Sequence, residues 1–184
     1  MGLSIREKAD TVGTLRFASV FAMEALARWI PTTPELEAKV CFGRHVWEFA
    51  QHADALGRRT AELRAALHHS APPTSAYGAL LDQLAGTVPT RERISVFYDG
   101  LLADLERRYR TFLGTTDHLL DEPSVRIMER ILQDFARMRG EALALVRERP
   151  ELADATTGPA WAGAAGRVAE WVVSRPASPP KVVA

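Results

Sequence analysis

The stretch Glu37–His52, EAKVCFGRHVWEFAQH, holds two histidines, two glutamates and the only cysteine of the chain. Wound at about 100° per residue, Glu37, Cys41, His45, Glu48 and His52 fall within an arc of roughly 80°. Phe42, Phe49 and Leu56 lie along one edge of that arc. A polar stripe beside large apolar residues points to a partly buried site between helices, so the chain reads as an all-α helical bundle organised around this segment.

Outward from it, Thr33 suits an N-cap and Pro34 a first helical position, and the helix is expected to run to Leu67. Before it, residues 9–30 read as a first long helix, apolar nearly all round. After it, residues 68–90 carry prolines and small turn residues around one apolar segment, Tyr77–Leu84. That is a long connection with a short helix in it, and its length allows the third helix to run parallel to the second. Ile94, Tyr98, Leu101, Leu105, Tyr109 and Phe112 mark the third helix, from Thr90 to Leu113. Pro123 opens a fourth, which closes at Arg149-Pro150. Residues 1–155 are thus expected to form the bundle. Residues 156–184 are expected to supply a short helix, Ala160–Val173, and a disordered Pro/Ser-rich end.

Composition bounds the function. Of 184 residues, 47% are apolar and 25% charged, enough for one well-buried domain. Lys plus Arg and Asp plus Glu both number 23, which argues against a nucleic-acid partner. A single cysteine permits no intrachain disulfide and fits a reducing cytoplasm. The opening MGLSIREKAD is charged and lacks the apolar core of a signal peptide, and no run of about 20 apolar residues is long enough to span a membrane. The wealth of Ala and Arg is consistent with a GC-rich bacterial genome.

Candidate chemistry centres on His45, Glu48 and His52, spaced by three and four residues on one helical face. Imidazoles beside a carboxylate can pass protons or bind a metal. Glu24 is the only charged residue from Phe17 to Ala27, so it either enters the bundle interior or lies on the rim beside Arg28. Tyr98 sits within the apolar stripe of the third helix, where it either donates a hydrogen bond inward or only packs. Cys41 reads as a small buried residue rather than a thiolate. His68 and His69 are expected at the surface, and His118 in a turn.

The four-helix order with a long middle connection, together with Glu24 and the stretch RHVWEFAQHADALGRR, resembles the ferritin-like superfamily; DEPSVRIMERILQD resembles the opening of its fourth helix. The resemblance covers residues 9–149 and implies two iron or manganese ions held by carboxylates and histidine. The positions it offers here are Glu24, Glu48, His52, Glu106 and Glu129. The family's Glu-x-x-His order is absent: Glu48 and His52 stand four apart, and the fourth helix offers Glu129, Gln133 and Asp134 but no histidine.

Three functions stay open. One is an enzyme without a metal cofactor that performs acid/base chemistry on a small molecule through Glu24, His45, Glu48, His52 and Tyr98, in an isomerisation, cyclisation or elimination of a biosynthetic pathway. Another is an iron or manganese oxidase. The third is a non-catalytic ligand-binding or interaction bundle, with a homodimer formed through Trp161 and Trp171.

Overall fold

A computed structural model describes residues 3–174, and the chain is all-α, with no strand among them. Helix α1 spans Ile5–Trp29, α2 Leu36–Glu62, α3 Ser75–Ala85, α4 Thr90–Ile94, α5 Leu102–Thr115, α6 Glu122–Glu148 and α7 Thr157–Gly166. A π-helical stretch, Ser95–Leu101, joins α4 to α5 in one continuous rod. The chain end expected to be disordered lies outside the described residues from 175 onward.

Helix α1 starts earlier than the apolar pattern indicates because Ser4 and Glu7 form a capping box. The Ser4 hydroxyl accepts from Glu7 N at 3.3 Å, and the Glu7 carboxylate accepts from Ser4 N at 2.8 Å. Helix α2 starts later than Thr33: that hydroxyl turns back to donate to Trp29 O at 2.8 Å and accepts from Arg93 at 3.1 Å. It also ends five residues before Leu67. Arg64 adopts φ 62°, with Arg64 N bonded to Ala61 O and Ala65 N to Thr60 O, each at 3.0 Å. Those two bonds are a Schellman end built without its usual glycine.

The core is a chain of tilted and edge-on aromatic contacts, Trp29–Phe42, Phe49–Phe97, Phe49–Phe135 and Tyr109–Phe135, which ties α1, α2, the π stretch, α5 and α6 together. Each such side chain, once buried, contributes about 2 kcal/mol. The α4–α5 rod meets Trp29 and the first half of α2 near its start, and at its far end Thr116 shares Asp121 with Arg59. The rod therefore runs parallel to α2, as the long connection allows. No described helix is long and apolar enough to cross a membrane.

Ser95, Val96, Phe97 and Tyr98 are all buried, more than one face of an amphipathic helix would give. Helix α7 covers the side that would otherwise meet solvent. Gly158 makes this approach possible, since a Cβ there would lie 2.2 Å from Ser95 O. Trp161 donates its indole N–H to Leu80 O at 2.9 Å, and Trp171 packs edge-on against Tyr77. The expected Ala160–Val173 helix is shorter and earlier, and both tryptophans are buried in their own chain; a dimer through them would have to open that packing.

Candidate functional site

Helices α2 and α6 run antiparallel along a polar seam. As numbers rise on α2 they fall on α6: Glu37 pairs with Arg149 at 2.9 Å, His45 with Glu141 at 3.3 Å, Glu48 with Arg137 at 2.8 Å and His52 with Asp134 at 3.0 Å. The arc read from Glu37 to His52 is thus the face that α2 turns to α6. At the far end Arg59 donates to Asp121 and Ser124.

His45 lies at the deep edge of the seam, fully buried. Its Nδ1 stands 2.6 Å from the Tyr98 hydroxyl, and its Nε2 faces Glu141. Burial pushes the Tyr98 phenol well above its ordinary value, so it keeps its proton and donates to Nδ1. That fixes His45 as the Nε2–H tautomer, donating to Glu141. Burial also lowers His45, against the pull of Glu141, and the imidazole rests neutral. Cys41 Sγ lies 3.6 Å from the same hydroxyl, and burial pushes its thiol up, so it is a protonated neighbour and not a thiolate.

His52 is also neutral, lowered by burial against its bond to Asp134. Its Nε2–H donates to that carboxylate, while its Nδ1 has no hydrogen-bond partner among the described residues. Burial raises Asp134, but the bonds from His52 and Arg137 outweigh it and hold the group below the usual carboxylate range. Arg137 reaches Glu48, Asp134 and Glu141 at 2.8, 2.9 and 3.2 Å, and is the common cation of the seam.

Behind Tyr98 a cavity of about 590 Å³ opens between the π stretch, α5, α6 and the Pro150–Leu152 turn. Ile94, Leu143, Val146 and Leu152 form its apolar wall, and Tyr98, Asp99, Glu106, Arg139 and Asp154 contribute the polar groups. Tyr98 is the residue common to the cavity and the His45 network.

Of the residues expected to act on protons, His45, Glu48, His52 and Tyr98 are brought together. Glu24 is not. It lies on the surface and pairs with Arg28 at 2.8 Å, because the small residues Ala18, Ala22 and Ala25 take the inward face of α1. The two-metal set fails with it. Glu129 is exposed, five residues and about 140° round α6 from Asp134. Glu106 is held by Arg110 and Arg139 on the opposite side of α6, at 2.7 and 3.2 Å. What does converge is Glu48, His52 and Asp134, with donor atoms within 4.8 Å of one another, and the guanidinium of Arg137 bridges both carboxylates. Asp134 was among the fourth-helix candidates of the sequence, whereas Arg137 and Glu141 are partners it did not single out. The spacing of these three on α6, by three and four residues, mirrors that of His45, Glu48 and His52, and is the signal that would have found the set.

His68 is exposed as expected, whereas His69 is half-buried, its ring 2.8 Å from where a Cβ on Gly13 would stand. His118 is exposed in its turn and bonds Leu113 O at 2.8 Å. No protein-family model, curated protein or solved structure matches the chain.

Proposed function

We propose that the protein is an enzyme that moves a proton on a small organic molecule held in the cavity beside Tyr98. The observation that carries this reading is the Tyr98–His45–Glu141 relay, in which a phenol that lines a 590 Å³ space is bonded to a buried neutral imidazole backed by a carboxylate. In the forward step the Tyr98 oxygen takes a proton from a substrate carbon as its own proton passes to His45 Nδ1. The imidazolium so formed is stabilised by Glu141, and return of the proton to a different substrate atom completes an isomerisation with no net gain or loss. Burial costs the imidazolium, and the negative charges of Glu141 and Glu48 oppose that cost.

A substrate-independent test is deuterium incorporation from D2O into a panel of small ketones and β-dicarbonyl compounds, followed by proton NMR. The wild type should exchange at least one member, and Tyr98→Phe and His45→Gln should lower that rate by about 100-fold or more. Exchange that survives both substitutions, or none in any compound that binds, would overturn the reading.

A second reading is a single divalent ion at Glu48, His52 and Asp134, favoured by the convergence of their donor atoms. Manganese titration of wild type and His52→Ala tests it. A ferritin-like bundle is the fold-level reading that suits both, supported by four long helical rods and a crossover connection that makes the second and third parallel.

A further inference from the structure

The cavity beside Tyr98 has a chemistry of its own, set by its charges and its walls. Leu143 lines it while remaining 52% exposed, and Ile94, Val146 and Leu152 continue that apolar wall inward. The polar groups are not equivalent. Asp154 is committed to the start of α7, where it accepts from the backbone N–H of Thr156 and Thr157 and from both hydroxyls. Glu106 is committed to Arg110 and Arg139. Arg139, the only basic residue of the lining, is therefore already neutralised. Asp99 is different. Its carboxylate receives no hydrogen bond from the described residues, and Arg139, which lines the same cavity, acts on it through charge alone. Asp99 is solvent-exposed where it lines the cavity, so its charge is open to an incoming ligand, and partial desolvation raises its carboxyl against the pull of Arg139.

We propose that the cavity binds the ammonium group of a predominantly apolar amine, with Asp99 as its counter-ion and the Ile94–Leu143–Val146–Leu152 wall against its hydrocarbon part. The charge balance decides for a cation: three carboxylates face one arginine, and that arginine is bound to one of them. An anionic ligand would have to displace Glu106 from Arg139 and then lie beside Asp99. A neutral apolar ligand would fill the wall but gain nothing from Asp99, whose exposed carboxylate would stay with water. The proposal names the substrate class of the proton-transfer reading above and rests on the cavity being the substrate site.

The test compares 4-phenylbutylamine, 4-phenylbutanol and 4-phenylbutyrate by isothermal titration and ligand-observed NMR. The amine should bind at least tenfold more tightly than the alcohol, and the carboxylate most weakly. Asp99→Asn should reduce the amine to the level of the alcohol. Gly140→Trp, at a cavity position where an added Cβ meets nothing within 4 Å, should abolish binding while the circular-dichroism spectrum stays that of the wild type. Equal binding of alcohol and amine, tighter binding of the carboxylate, amine affinity unchanged in Asp99→Asn, or no binding of any probe would each overturn the proposal. Amine binding that persists in Tyr98→Phe separates the two readings, since that variant disables the relay and leaves Asp99 in place.

Discussion

The Tyr98 hydroxyl and His45 Nδ1 meet at 2.6 Å where the π-helical stretch packs against α2, both side chains buried. A π turn carries an extra residue per hydrogen-bonded loop, so it shifts the facing of the side chains that follow relative to a plain α-helix. Here it delivers Phe97 to the aromatic core and Tyr98 to the imidazole in consecutive positions.

Tyr98→Phe keeps the ring and removes the donor, leaving His45 Nδ1 buried with only the weak Cys41 thiol, 3.8 Å away, near it. The expected cost is about 1–3 kcal/mol, read from urea midpoints at neutral pH. His45→Phe in the same background should cost less than the sum of the two single substitutions, because the orphaned acceptor is gone. Additive costs would show that the bond contributes little.

Both seam histidines have folded pKa values below their ordinary value, chiefly through burial. The sign follows directly: below about pH 6.5 an unfolded histidine takes up a proton that the folded one refuses, so the unfolded chain gains as pH falls. Stability should therefore be fully present above the unfolded value and decline from there toward acid, until the folded groups protonate. Asp134, held low by His52 and Arg137 against its burial, adds a further loss below the ordinary carboxylate range. Melting temperatures from pH 8 to 5 should fall for the wild type and fall less steeply in His52→Gln, which keeps, of the two histidines, only the His45 contribution. A profile that rises toward pH 5 would contradict this.

Arg137 is 43% exposed, so its ion pairs with Glu48, Asp134 and Glu141 are each worth well under the buried-pair scale. Arg137→Ala should cost only about 1–2 kcal/mol, an effect that shrinks in high salt. It should also free the Glu48–His52–Asp134 group for a cation. Millimolar Mn2+ should raise the melting temperature of Arg137→Ala more than that of the wild type, and His52→Ala in that background should remove the gain. Equal metal shifts in all three proteins would show that the seam does not bind the ion.

The helices and the stripe on α2 were legible because periodicity reports which face of a helix is buried. What periodicity cannot report is the partner. Glu24 looked costly as a lone acid in an apolar helix, yet a four-residue step to Arg28 and a face of alanines turned inward leave it in water. The end of α2 was hidden because Arg64 takes a left-handed conformation without glycine. The cluster itself was incomplete because half of its charge comes from α6, about 90 residues away in sequence, where Asp134 stood out only as a candidate without a histidine beside it, and Arg137 and Glu141 look like an ordinary solvated face.

Arg108 tests how the C-terminal segment is held. Its guanidinium stacks between Tyr77 and Trp171, 4.5 Å from each ring centroid, donates through Nε to Asp104 at 2.6 Å and reaches Ala165 O at 3.0 Å. Asp104 is buried and also accepts from the Tyr77 hydroxyl at 2.7 Å. Arg108→Ala removes the stacking and strands a buried carboxylate that the more exposed Arg107 reaches from only one side. Breaking one side of a buried pair costs about 3–5 kcal/mol, which for a chain of this size lowers the melting temperature by roughly 10 °C. Arg108→Met with Asp104→Asn should recover part of that loss by removing the stranded charge while keeping bulk between the rings. Limited proteolysis should cut Arg108→Ala near Val168–Trp171 before any other site, because Ala165 and Val168 lose their shared donor. First cuts elsewhere would show that α7, seated through Gly158 on Ser95, holds this segment without the arginine.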